Sequence, residues 1–236
     1  MLVCVAEQIA DGPAAEAHVD RDVAVERIQL DGTSWIDVAR GWMAGADDLF
    51  QVLLRKVPWQ QSQLFRYDHW VEERRLGSMW RSDHPLVHPA LAEAHRALQH
   101  RYRAHFDGFG LIQYRDGHDG QAFHRDTDMR WLDDTVIAVL TLGARRPWLL
   151  RPRTSRYDHG EGRGATTDIA PGSGDLLVMG GRCQADWEHS VPYRPGDPVG
   201  TRISVQWRYT SGCGRPFVGG SYRAPLTYSP SRRTST

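Results

Sequence analysis

The sequence predicts a mainly β fold with helices in its first half, and three observations predict it. Three segments before about residue 105 repeat apolar residues at helical spacing. After Gly110 the pattern changes to short β-like runs separated by Gly, Pro and Asp. The last of these runs, Thr201–Tyr209, alternates polar and apolar residues without a break. Several short strands with turn signals between them suggest a sandwich or barrel.

Taken in order, the first 30 residues are polar and weakly patterned, and read as an irregular arm or an edge strand. Ser34–Gly45 reads as helix, with Ile36, Ala39, Trp42 and Met43 on one face. A second helix starts at Asp47 and Asp48, carries Leu49, Phe50, Leu53 and Leu54, and ends with Arg55 and Lys56. Acid first and base last suits the helix dipole, and Pro58 stops the helix. Pro89 opens a third at a tolerated first-turn position, with Leu91, Ala94, Leu98 and Tyr102 recurring up to about His105. The β-like runs are Leu111–Tyr114, Thr135–Leu142, Trp148–Arg151, Thr166–Ile169, Asp175–Met179, His189–Pro192 and Thr201–Tyr209.

A chain of 236 residues can bury one sizeable core. Residues 31–212 are expected to form a single domain, with an N-terminal arm over 1–30 and a tail over 213–236. Hydrophobic residues make up 40% and charged residues 25%, as in an ordinary globular protein, and no apolar run reaches the roughly 18 residues of a membrane span. The apolar start, Met1–Ala6, is too short for a signal peptide and lacks a basic flank, so the expected location is the cytoplasm. Cys4, Cys183 and Cys213 are too few and too scattered for a disulfide framework or zinc cluster, and read as free thiols. The formal net charge is zero, which lends no support to a basic nucleic-acid face.

Phe123-His124-Arg125-Asp126 is the first chemical signal. In an extended segment, residues two apart point the same way, so His124 and Asp126 could bind one metal together. A third ligand could be His189, near the start of another predicted strand 65 residues further on. Two histidines and a carboxylate leave positions on a metal open for a cosubstrate and O2, as non-haem iron oxygenases require. Alone, a His-x-Asp pair equally describes a surface loop, and His105, His118 and His159 are rival ligands.

Thr201–Tyr209 is the second signal. Arg202, Ser204, Gln206 and Arg208 lie on one face, and Ile203, Val205, Trp207 and Tyr209 on the other. As an outer strand, its polar face would meet water. Inside a barrel, the arginines would need anionic partners, because burying an unpaired charge costs several kcal/mol. A dicarboxylate supplies two, and arginine forks carboxylates bidentately. The arginines follow His189 by only 13 and 19 residues, which would make the metal and anion sites neighbours.

Several stretches together resemble the AlkB-like family of Fe(II)/2-oxoglutarate dioxygenases. Leu111-Ile-Gln-Tyr114, a Gly-containing loop and His124-Arg-Asp126-Thr-Asp128 are similar to the family's Asn-x-Tyr…His-x-Asp-x-Asp segment. Val136–Gly143 is similar to its strand ending in Leu-Gly. Gly174–Gly181 with Trp187-Glu-His189-Ser-Val-Pro192 is similar to the segment bearing the last ligand. Arg202–Arg208 is similar to its Arg-x-Asn-x-Thr-x-Arg strand. Val57-Pro-Trp-Gln60 and Leu76-Gly-Ser-Met-Trp80 look like the family's nucleotide-recognition region, placed at 55–85. Ile112, Ser204 and Gln206 depart from the family's Asn, Asn and Thr, and one extra residue separates Tyr114 from His124.

The resemblance implies a double-stranded β-helix, or jelly-roll, with the helices packed outside one sheet. It implies Fe(II) on His124, Asp126 and His189, with 2-oxoglutarate as cosubstrate and O2 as oxidant. Tyr114 and Arg202 would hold the distal carboxylate, with Ser204 in the same shell and Arg208 near the keto-acid end. Asp128 would approach the substrate base and Trp80 would stack on it, while Trp187 packs the barrel. The implied activity is oxidative removal of N-alkyl groups from single- or double-stranded DNA, or RNA, by a monomeric repair enzyme, giving succinate, CO2 and formaldehyde. Such a base must leave its stack. Arg145, Arg146, Arg151, Arg153 and Arg156 could touch phosphates or form a solvated face. Two other functions fit the residues: the same chemistry on a small metabolite or protein, and a metal-binding β-barrel module without turnover.

Overall fold

The structure, a computed structural model, describes residues 16–66, 69–81, 84–153 and 165–218; Cys4, Arg156, His159 and the tail beyond Tyr222 lie outside them. The chain begins with strands β1 (His18–Val19), β2 (Glu26–Gln29), β3 (Ser34–Ala39) and β4 (Met43–Ala44), then helix α1 (Ala46–Lys56). A pair of strands, β5 (Gln60–Arg66) and β6 (His69–Arg81), precedes helix α2 (Pro89–Tyr102). The remainder is β7 (Gly108–Tyr114), β8 (Gln121–His124), β9 (Thr135–Gly143), β10 (Leu149–Pro152), β11 (Thr167–Asp168), β12 (Leu176–Gly181), the short helix α3 (Cys183–Asp186), β13 (Trp187–Val191) and β14 (Arg202–Thr210).

Two antiparallel sheets form the core. The larger has the order β2-β3-β12-β9-β14-β7-β6-β5 and the smaller β11-β10-β13-β8, with β1 paired to β4 apart from both. From β7 onward the chain passes repeatedly from one sheet to the other, which is the double-stranded β-helix expected of a jelly-roll.

Both faces of the larger sheet are covered. On one side, Leu49 and Leu53 of α1 and Leu91, Ala94 and Leu98 of α2 pack onto Leu111, Ala138, Leu140, Val178, Val205 and Trp207. On the other, Ile36, Ile137, Val139, Leu177 and Met179 meet Trp148, Leu150 and Val191 of the smaller sheet. The near-continuous apolar sequence of β9 follows, since a strand buried on both faces loses its polar alternation.

The two predicted helices with dipole-matched or proline-opened ends form as expected. α1 has Asp47 and Asp48 in its first turn and Arg55 and Lys56 in its last, and stops at Val57 before Pro58. In α2, the His88 ring accepts from the Ala90 N–H at 3.2 Å just ahead of Pro89. The helix ends at Tyr102, where Arg103 takes a left-handed φ of 49°.

The helix expected over Ser34–Gly45 is instead strands β3 and β4. Its apolar residues are buried as read, but on two faces: Ile36 and Val38 face the smaller sheet, and Trp35, Asp37 and Ala39 the helices. Ile36 and Val38 are β-branched and favour a strand, and Gly41, at φ 70°, turns the chain at its end. Buried Asp37 mimics helical polarity in the sequence. It accepts two bonds from Arg27, at 2.7 and 2.9 Å, and one from the Tyr102 hydroxyl at 3.0 Å. Within the segment expected as an irregular arm or an edge strand, Glu26–Gln29 forms β2, an edge strand of the larger sheet. Gly180 and Gly181 close strand β12, and a side chain at Gly180 would collide with the Trp35 ring. Cys183 is buried and Cys213 exposed, both free.

Candidate functional site

Each of the three predicted ligands comes from a different local geometry. β8 and β13 are neighbours in the smaller sheet, and His124 sits directly opposite His189 in their register. Their rings lie 4.2 Å apart, centre to centre. Asp126 lies just past the end of β8, where the chain turns into a 3-10 turn at Thr127–Met129. The candidate ligand atoms of His124, Asp126 and His189 all fall within 4.8 Å of one another.

The surroundings prepare these groups for a metal. The His124 ring contacts the Ala122 carbonyl through Nδ1 at 2.9 Å, so this nitrogen carries the proton and Nε2 is left as a lone-pair donor. Trp148 stacks on His189 at 5.4 Å. Burial, reinforced by His124, pulls the His189 imidazole down to about 3, and burial also lowers His124. Both rings are therefore neutral at neutral pH, as ligation requires. Burial works to raise Asp126, but the Arg208 guanidinium, through its charge and its hydrogen bond, holds it well below the usual carboxylate range. The Arg208 Nε donates to Asp126 Oδ2 at 2.8 Å, and the Asp126 N–H donates to the Gln184 side chain at 2.8 Å. This set of two imidazoles and one carboxylate fits iron with open positions for other ligands.

The arginine strand behaves as its alternation predicts. Ile203, Val205 and Trp207 enter the core beneath the helices, and Arg202, Ser204, Gln206 and Arg208 occupy the face toward the smaller sheet. Arg202 is fully buried and stands opposite Tyr114 in the register. Its Nη2 donates to Thr141 Oγ1 at 3.0 Å, while Nε and Nη1 have no protein partner. Burial lowers this guanidinium to about 10, with Tyr114 opposing and Arg146 adding to the effect. Two orphaned buried donors beside a metal triad fit the carboxylate of a dianionic cosubstrate, since leaving them unmade is costly. Ser204, also buried, is the next residue along this face.

Other predicted residues are placed differently. Trp80 does not face the site. Its ring stacks on Phe109 at 4.8 Å, Phe109 meets Trp207 at 5.3 Å, and its indole N–H donates to the His84 carbonyl. Trp80 therefore belongs to the layer beneath the helices, and period-two alternation turns Arg75, Gly77 and Met79 to the site side of β6. Asp128 lies in the 3-10 turn after Asp126, exposed, within electrostatic reach of Asp126, Arg208 and His124. Trp187 packs against the core between the sheets and donates to Asp31 at 2.6 Å. His105 and His118 are exposed beside Asp107 and Asp116, away from the triad. Arg146 is no phosphate contact: it is buried and donates to the carbonyls of Asp116 and Asp119 at 3.0 and 2.7 Å. Arg145 bonds the Ala170 carbonyl, and Arg151 pairs with Glu188 at 2.9 Å.

Four residues of the site had no motif to announce them. Gln184 holds the Asp126 backbone from α3, and Trp148 stacks on a ligand. Arg146 sits over the Tyr114 ring at 5.4 Å, and Arg75 reaches the Tyr114 hydroxyl at 3.5 Å. The available signals were weak ones, such as an arginine pair directly after a buried strand.

The chain matches the family model described as the 2OG-Fe(II) oxygenase superfamily over residues 43–208. It is 29% identical over 178 residues to the Bos taurus protein named alpha-ketoglutarate-dependent dioxygenase alkB homolog 3, covering 69% of this chain and 61% of that one. The Homo sapiens protein of the same name is 26% identical over the same shares. The Arabidopsis thaliana DNA oxidative demethylase ALKBH2 is 30% identical over 121 residues, 44% of this chain and 37% of that one. The chain thus spans about three fifths of the alkB homolog 3 relatives. In fold it is similar to a prolyl hydroxylase from Trichoplax adhaerens, solved with a hypoxia inducible factor peptide, with a TM-score of 0.52 and 14% identity over 74% of this chain and 83% of that one. Because the matched residues include both ligand strands and the arginine strand, the chain belongs to the 2OG-Fe(II) oxygenase superfamily, AlkB-like within it, and its cofactors are Fe(II), 2-oxoglutarate and O2.

Proposed function

We propose that this protein oxidatively removes N-alkyl groups from damaged nucleic-acid bases. The observation that carries the oxygenase reading is the buried Arg202, with two unpartnered donors, on the strand that also brings Arg208 to Asp126. The nucleic-acid substrate is supported by relatives whose names specify alkB homologs and a DNA oxidative demethylase.

Bound iron and 2-oxoglutarate would supply the oxidising power, and the chain's residues would supply the geometry. His124, Asp126 and His189 would hold the metal from one side, leaving the other for exchangeable ligands. Arg208 fixes the Asp126 carboxylate, Gln184 holds the Asp126 backbone N–H, and the Ala122 carbonyl fixes the His124 ring. Arg202, Tyr114 and Ser204 would orient the cosubstrate through its distal carboxylate. Asp128 would approach the substrate base from the 3-10 turn. Hydroxylation of an N-methyl group gives a hemiaminal that loses formaldehyde and restores the base. The reading further describes a monomeric cytoplasmic enzyme.

The test is mass spectrometry of oligonucleotides carrying 1-methyladenine or 3-methylcytosine, single- and double-stranded, DNA and RNA, with Fe(II), 2-oxoglutarate and O2. Loss of one methyl mass with matching succinate is expected, and His124→Ala should abolish both. Succinate without demethylation would move the substrate to a small molecule or protein. No succinate from iron-loaded protein would overturn the oxygenase reading.

A further inference from the structure

Arg75 belongs to no recognised motif, yet it is built into the site. It lies on the site-facing side of β6, and its Nη1 is 3.5 Å from the Tyr114 hydroxyl. Its Nη2 donates to Glu73 Oε1 at 2.9 Å, and the other Glu73 oxygen accepts from the Ser62 hydroxyl of β5 at 2.6 Å. The third donor, Nε, is buried without a protein partner. The positive charge of Arg75 also lies within electrostatic reach of His124, His189 and Arg208. Glu73 and Tyr114 hold the guanidinium charged, with Tyr114 the larger influence after burial, which opposes them.

A buried arginine normally satisfies every N–H, since an unmade hydrogen bond to a charged group is costly. Here the two terminal nitrogens are fixed by Glu73 and Tyr114, and the remaining donor is free. Arg202, across the Tyr114 ring, shows the same pattern of free buried donors. Two guanidiniums with unpartnered N–H groups on either side of one tyrosine describe a site for a carboxylate that accepts from both.

We propose that Arg75 is a direct binding residue for 2-oxoglutarate, donating to the same distal carboxylate as Tyr114 and Arg202. This rests on the reading of Tyr114 and Arg202 as the cosubstrate's anion site. Glu73 and Ser62 are positioning residues that hold Arg75 in place, and they tie the β5–β6 pair to cosubstrate binding.

The experiment is anaerobic calorimetric titration of 2-oxoglutarate into the Mn(II)-loaded full chain, with Mn(II) affinity measured separately. Arg75→Met should weaken 2-oxoglutarate binding about tenfold or more and leave Mn(II) affinity unchanged. Arg75→Lys keeps the charge but lacks the Nε donor; it should weaken binding at least about threefold, and it serves as the test if Arg75→Met fails to fold. Arg202→Met is the control on the underlying reading. Weak binding in Arg202→Met with near wild-type binding in both Arg75 variants would overturn the inference alone, making Arg75 a brace for the hairpin. Unchanged binding in the Arg202 and Arg75 variants together would overturn the anion-site reading as well. A parallel loss of Mn(II) affinity in the Arg75 variants would assign the effect to the metal site and also sink the proposal.

Discussion

At the scale of single residues, the site works by leaving selected groups incomplete. Asp126 has two supports, Arg208 and Gln184, and keeps a carboxylate oxygen facing His124 Nε2 at 3.5 Å. Supporting groups of this kind typically change metal affinity or activity by 10–100-fold when removed. Arg208→Gln is therefore expected to weaken Mn(II) binding by roughly tenfold or more, measured by paramagnetic resonance titration, with the fold retained because Arg208 opens toward solvent. Unchanged affinity would reduce Arg208 to a surface partner. The residue-level reading of the sequence succeeded where side-chain direction follows from strand periodicity alone. Arg202 is buried because its strand alternates, whereas His124 and Asp126 converge although Asp126 lies just past the end of β8, at the start of the 3-10 turn. It failed for Trp80, one position out of phase with the site-facing residues Arg75, Gly77 and Met79. A shift of one residue in a strand reverses the face, and nothing in Leu76–Trp80 shows which face is which.

At the scale of elements, the helices were legible because their ends carry chemistry: acids at the start of α1, Pro89 at the start of α2, and a proline just after α1. Strand β3 was not, because it lies inside the edge of a sheet covered on both sides, and its one charged residue is buried too. Asp37 joins β2 through Arg27 and the end of α2 through Tyr102, while Trp35 lies between Arg27 at 3.8 Å and Tyr102 at 6.0 Å. Replacing Asp37 by Ala should strand the half-buried Tyr102 hydroxyl and lower stability by about 1–3 kcal/mol, read by thermal unfolding. An unchanged midpoint would mean that water replaces the carboxylate without cost. The β5–β6 pair was also missed. Its Gln- and Glu-rich strands lie at the edge of the larger sheet and lack the apolar alternation that identifies strands with a buried face.

At the scale of the whole molecule, three layers divide the labour. The helices and the larger sheet carry most of the apolar packing, and the smaller sheet carries two of the three ligands. The site lies between the sheets, where Arg202, Tyr114 and the triad meet from opposite sides. Metal and cosubstrate should therefore join the two sheets and stabilise the fold as a unit. At 100 times its dissociation constant a ligand adds about 2.7 kcal/mol, so saturating 2-oxoglutarate should raise the unfolding midpoint of Mn(II)-loaded protein by roughly 5–10 °C. Arg202→Met should lose most of that increase at the same ligand concentration. A shift that survives the substitution would place the ligand elsewhere.

The direct pairing of His124 with His189 has a consequence for motion. β8 is a four-residue edge strand, and its register with β13 shifts between the only two recorded pairs, His124 with His189 and Gln121 with Val191. A strand held so lightly opens easily. A metal bound across its last rung acts as a clasp on that edge, much as a cross-link would. Amide protons over residues 121–126 should exchange with deuterated solvent markedly faster in the metal-free protein than in the loaded one, while those of β9 exchange at one slow rate in both. Loss of iron would then be felt first as a fraying edge, and the path by which metal enters would be the same path by which that edge comes loose.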